Sequence, residues 1–143
     1  MHTSAARILS PVMATIQIKP LRRSSRRDGY RVLALPVWPR SLRKDSVDLW
    51  SSELAPEPRL LVHRGCGLSP EAFAYVYGNY LDRPCVRIKL KPLALLALRK
   101  RLTILCGCRD AAYCHDGILA AALEKCRRDR DFMIDAAGCG GAA

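Results

Sequence analysis

Cys106, Cys108, Arg109, Asp110, Cys114 and His115 fall close together near the carboxyl end of the chain, and these are the residue types that do chemistry. Residues 102–116 read as a short apolar run fit for a buried strand, then a Gly/Cys/Arg/Asp elbow, then a helical pattern from Cys114. A strand that turns sharply into a helix aims free backbone N–H groups at one small volume, which suits an anion. Arg109 lies in that elbow. Arg40, in Trp38-Pro39-Arg40, reaches the same rim if its loop follows a neighbouring strand. The predicted anion-binding set is Arg40, Cys108, Arg109, Asp110, Cys114 and His115, and the ligand class is a phosphorylated small molecule or nucleotide. The structural alternative pairs Arg109 with Asp110 and stacks Arg40 on Trp38.

The same residues offer two further chemistries. Cys114, at a helix start beside His115, is placed where a dipole and an imidazolium favour a thiolate, so the two are the candidates for catalysis. The spacing matches neither a Cys-x5-Arg phosphatase loop nor a Cys-x-x-Cys dithiol. Neighbours on a helix also point about 100° apart, so adjacency in sequence does not bring imidazole to thiol. Cys106, Cys108, Cys114 and His115 are zinc ligands by type, yet Cys-x-Cys is tighter than the usual knuckle, and a cysteine on a buried strand commonly packs as a small hydrophobe. No metal is assigned and no cofactor is implied.

Charge supplies the fourth chemistry. The chain has 24 Lys and Arg against 13 Asp and Glu, a net +11, which favours phosphorylated ligands or polyanions. The basic residues cluster in Arg22, Arg23, Arg26 and Arg27, and again in Arg87, Lys89 and Lys91. With few aromatics and no recognisable nucleic-acid motif, nucleic-acid binding through these surfaces would be non-specific and salt-sensitive. A solvated basic face is the plain alternative. Seven cysteines, an odd number at irregular spacing, do not read as a disulfide framework. The longest apolar run, residues 92–98, is far short of the ~20 residues of a membrane span. A cytoplasmic protein with no membrane partner is expected.

The elements that must hold these residues follow from local pattern. Residues 14–19 alternate as a first strand, residues 20–29 form a basic loop closing on Asp28-Gly29, and residues 30–35 form a second strand. Prolines 36 and 39 exclude regular structure, and residues 47–53 make a short strand or one helical turn. A helix starts at Pro58. Ser69-Pro70-Glu71 starts another, with Phe73, Val76, Tyr77 and Tyr80 on one stripe. Residues 85–91 alternate strictly and predict a strand with Arg87, Lys89 and Lys91 in a row outside. Pro92 then opens a helix to Arg101. The last helix runs from Cys114 to about Cys126, with Ile118, Leu119, Ala122 and Leu123 toward the sheet.

Asp28 to Leu33, Trp38-Pro39-Arg40, Asp48-Leu49-Trp50, Glu53 to Pro56, the Phe73 to Tyr80 helix and Leu105-Cys106 through Cys114-His115 come in an order that resembles the YeaO-like branch of domain-of-unknown-function family 488. The resemblance spans roughly Ile16 to Leu123. It implies a small cytosolic α/β domain with a mainly parallel sheet and no established activity. The chain departs from the family pattern at Leu35-Pro36-Val37, at Ser41, and at Asp116, where an Arg often follows Cys-His. It departs again at residues 85–91, where the family pattern is helical. The expected architecture is a single three-layer α/β domain, its mainly parallel central sheet flanked by helices, over residues 14–134. Residues 1–13 read as a disordered extension or as sequence preceding a start at Met13, and residues 135–143 as a flexible Ala/Gly tail. These features fit a binding module and an enzyme equally.

Overall fold

The computed structural model describes residues 16–107 and 114–134. The predicted extension 1–13, the tail 135–143, and Cys108, Arg109 and Asp110 lie outside the described residues. Four strands, β1 (Ile16–Pro20), β2 (Tyr30–Leu33), β3 (Leu49–Trp50) and β4 (Leu102–Cys106), form one sheet in the order β1-β4-β2-β3. Every pairing is parallel, with Ile18 opposite Ile104 and Val32 opposite Ile104 on its other side. β4 is central, and its first four residues are all buried, the continuous apolar pattern of a strand covered on both faces.

One face carries the main core. Val32, Ala34, Leu102 and Ile104 pack there against α2 (Pro70–Asp82), α3 (Pro84–Leu96) and α4 (His115–Arg128). The first helix, α1 (Pro58–Gly65), adds Leu60 at the margin of that cluster. Pro70 and Ser69 start α2 as expected, the Ser69 hydroxyl accepting from the Ala72 amide at 3.1 Å. Its inward residues are Phe73, Tyr77 and Leu81, while Val76 is 47% exposed, so the stripe is rotated toward Leu81. The Tyr77 hydroxyl donates to the Leu54 carbonyl at 2.6 Å, which ties the buried segment after β3 to this helix.

The other face, reached by alternation from Leu33 and Leu105, is closed by the short 3-10 turns Leu21–Arg23 and Arg26–Asp28 and by the chain leading to β3. Its polar residues are stitched together. Gln17 donates to Thr103 Oγ1 at 2.8 Å, Thr103 donates to the Asp28 carbonyl at 2.7 Å, and Lys19 Nζ meets Asp28 Oδ1 at 2.7 Å. Arg31, also on this face, binds Asp48 Oδ2 at 3.0 Å and the Asp45 carbonyl at 3.0 Å.

The strand predicted at residues 85–91 is helix instead. Arg83 is extended, Pro84 takes the first helical position, and Val86, Leu90, Leu93 and Ala94 are buried at helical spacing along α3. Alternation over seven residues satisfied the period of two by coincidence; extending the window to Leu93 and Ala94 restores the period of 3.6. Pro92 does not open a helix but lies inside α3, where it removes the bond to the Ile88 carbonyl. That loss, roughly 3 kcal/mol in a helix interior, is offset by the buried stripe. The helix ends at Leu96, so residues 97–101 are the turn into β4.

Candidate functional site

β2 and β4 lie side by side with Leu33 opposite Leu105 at the end of their shared register; Ala34 follows β2, and Cys106 is the last residue of β4. The chain leaving β2 passes over the polar face, where the Ser46 carbonyl accepts from Ser24 Oγ at 2.7 Å. The chain leaving β4 returns over the apolar face as α4, burying Leu119 and Leu123. Connections that depart in opposite directions from adjacent parallel strands leave a crevice between them, the usual ligand position in open α/β sheets.

Three predicted site residues meet at this crevice. Cys106 closes β4, Cys114 precedes α4, and their sulfurs are 3.4 Å apart, both residues half-buried. His115 begins α4 and is buried, its Nε2 2.8 Å from the Ala34 carbonyl. A carbonyl oxygen can only accept, so Nε2 carries the proton. Asp116 follows, fully buried, with Oδ1 3.3 Å from the same nitrogen. The Tyr77 ring packs edge-on to the imidazole with centroids 5.9 Å apart. His115 thus bridges the ends of β2 and α4, its Nε2 turned toward Ala34 and Asp116.

Arg40 lies on the loop leaving β2. That loop is held beside the carboxyl end of β3, where Trp38 and Trp50 pack edge to face at 5.6 Å and Trp50 Nε1 donates to the Leu35 carbonyl at 2.8 Å. The Arg40 side chain is exposed.

The basic residues separate into two groups. Arg22, Arg23, Arg26 and Arg27 are exposed on the two 3-10 turns. Arg87, Lys89 and Lys91 do not form the predicted row, because the segment is helical. Arg87 and Lys91, one turn apart, lie over the Phe132 ring at 4.0 and 4.6 Å, whereas Lys89 pairs with Glu53. Sequence reasoning treated Asp116 only as a departure from a family pattern. Counting back from Leu123 and Leu119 in steps of four reaches His115, and that signal already places the start of α4 inside.

A comparison with protein-family profiles matches residues 13–127 to DUF488-N3a, described as the active DUF488-N3 subclade. The chain belongs to the DUF488 family. The matched span takes in every described strand of this DUF488 domain and nearly all of α4, so Cys106 and Cys114 lie within the family match rather than in an appended segment. Comparisons with curated proteins and with solved structures find no match. Among the described residues no helix is long and apolar enough to cross a membrane.

Proposed function

We propose that the crevice at the carboxyl ends of β2 and β4 binds a phosphate- or nucleotide-sized anion. The observation that carries this reading is that the segment after β2 runs over one face of the sheet while α4, the element after β4, lies over the other. Both connections contain an arginine, Arg40 after β2 and Arg109 between Gly107 and Cys114. The buried Asp116 carboxylate in the first turn of α4 repels a second negative charge there. The anion is therefore expected to lean on the two arginines rather than on the helix start.

Calorimetric titration with sulfate, inorganic phosphate and a panel of nucleoside mono- and diphosphates tests this. Removing one charge-assisted contact costs roughly 1.5–3 kcal/mol, so Arg40→Ala and Arg109→Ala should each weaken binding about ten- to hundred-fold. Wild-type protein that binds none of the panel, or variants that bind as well as wild type, would remove the reading. Product formation from a bound phosphoester in the same samples marks an enzyme, and unchanged ligand marks a binding module.

A second reading rests on the exposure of Arg22, Arg23, Arg26 and Arg27 on adjoining turns. Four guanidinium groups on one stretch form a surface for the backbone of a nucleic acid, without base selection.

A further inference from the structure

We propose that Cys106, Cys114 and Asp116 form a binding site for a thiophilic divalent cation, zinc by preference. Their donor atoms, one from the end of β4, one from the residue before α4 and one from its first turn, all lie within 4.8 Å of one another. Two of the three residues are half-buried and the third is buried, so the cluster does not lie on open surface. Two soft sulfurs with one carboxylate oxygen select zinc over magnesium or calcium, which prefer all-oxygen shells.

Distance discriminates between the two obvious fates of a thiol pair. The sulfurs are 3.4 Å apart. Two thiolates on one tetrahedral zinc, with bonds of ~2.3 Å, stand about 3.8 Å apart, so a few tenths of an ångström of adjustment suffices. A disulfide needs about 2.05 Å, more than an ångström of movement between residues fixed by a central strand and a helix start. The remaining described cysteines offer no such convergence: Cys66 and Cys85 are exposed, and Cys126 is buried in the core beside the Arg87 guanidinium at 3.8 Å.

The set differs from the one expected from sequence: Cys108 lies outside the described residues, and Asp116 takes the place assigned to His115. Nε2 of His115, held by Ala34, leaves the imidazole to fix the start of α4 and lie against the Asp116 carboxylate, the way an outer histidine or carboxylate orients a ligand. These three donors fill three of the four tetrahedral positions, and the fourth falls to water, an anion or a further side chain. Loading converts both thiols to thiolates and releases their two protons to solvent, with no change of oxidation state. Uptake needs no anion, so the inference stands or falls separately from the crevice reading above.

The test is titration of the full chain, reduced and stripped with chelator, with cobalt(II) under anaerobic conditions. The expected result is one ion per chain, with sulfur-to-cobalt charge-transfer absorption and the visible bands of a tetrahedral site, both displaced by zinc. Cys106→Ser or Cys114→Ser should cut the charge-transfer band to half or less, and the double variant should abolish it. Asp116→Asn should retain it while weakening affinity about tenfold or more, and Cys66→Ser and Cys85→Ser should match wild type. Should a site variant fail to fold by circular dichroism, alkylation of wild-type protein read by mass spectrometry decides instead: zinc should protect Cys106 and Cys114 and leave Cys66 and Cys85 reactive. Absence of thiolate–cobalt absorption in wild type, its persistence at wild-type strength without Cys106 or Cys114, or unprotected alkylation of that pair in excess zinc would overturn the proposal.

Discussion

Among the described glycines, Gly29 has the closest approach to another segment of backbone. Its φ is 76°, and a Cβ built on it would lie 2.2 Å from the Arg101 carbonyl oxygen, the same oxygen that accepts from the Tyr30 amide. Gly29→Ala must therefore shift the entry of β2 against β4 and bear a left-handed φ, a cost of at least about 1–3 kcal/mol, readable as a lower urea midpoint. The preceding residue, Asp28, gives the fold an acid limit. Burial pushes its carboxyl up, but the hydrogen bonds from Lys19 and the Ser25 amide, with the charges of Lys19 and Arg31, outweigh that and hold it below the ordinary 3.8. Asp48 is held low by its hydrogen bond from Arg31, against the opposing effect of burial. A carboxyl lower in the folded state binds fewer protons there than in the unfolded state, so its stabilisation is full above the unfolded value near pH 4 and is lost as pH falls through the folded one. Urea unfolding of wild type at falling pH should show stability dropping below about pH 4, with a shallower drop in Asp28→Asn; equal slopes would show that Asp28 is not a source of it. The turn Asp28-Gly29 was legible as a dipeptide, and Cys106, Cys114 and His115 were legible as a cluster by residue type. The bond of His115 to Ala34 was not, because it depends on which strand lies next to β4, nor was the arrival of Asp116 at the thiols, because it depends on how α4 starts over the end of β4.

At the scale of elements, α3 separates pattern from packing. Read as a strand, residues 85–91 bury Val86, Ile88 and Leu90 together; as the helix, Leu90 is fully buried while Ile88 is 59% exposed. Ile88→Ser is accordingly expected to change stability by no more than about 0.5 kcal/mol, the range of ordinary surface substitutions. Leu90→Ala, which empties a fully buried site in the core cluster, should cost about 2–5 kcal/mol. Equal large losses at both positions in chemical denaturation would restore the strand. The first two strands, the helices beginning at Pro58, Pro70 and Cys114–His115, and the central strand were readable because each carries its own punctuation: a proline at the first turn, a capping Ser69, or a bounded apolar run. α3 was not, since Pro92 interrupts it and its basic residues alternate. What keeps it helical is tertiary, the contact of Val86, Leu90, Leu93 and Ala94 with the core and of Arg87 and Lys91 with Phe132.

For the whole molecule, the α/β class and the mainly parallel sheet were implied by the family resemblance, whereas the order β1-β4-β2-β3 was not legible, since placing the last strand between the first two is a long-range choice. The same limit applies to charge: the net +11 is a sum over sequence, and the fold decides which cations face solvent unpaired. Arg87 meets Asp129 at 3.5 Å and Arg127 meets Glu124, while Arg31 is engaged by Asp48 at 3.0 Å. Arg22, Arg23, Arg26 and Arg27 are all exposed, on turns that cover the polar face of the sheet. Association with duplex DNA or RNA, on the second reading, should therefore draw on this stretch and weaken steeply with added salt, each neutralised DNA phosphate contributing about 0.9 to the slope of log affinity against log salt. Replacing all four arginines by alanine should flatten that slope, by up to about 0.9 for every phosphate no longer neutralised, whereas Arg87→Ala should leave the slope unchanged and lower stability through its contacts with Asp129 and Phe132. Fluorescence anisotropy across a salt series measures both. A quadruple variant with the wild-type slope would show that polyanions meet some other part of the surface, and a wild-type affinity indifferent to salt would show that charge is not what holds them.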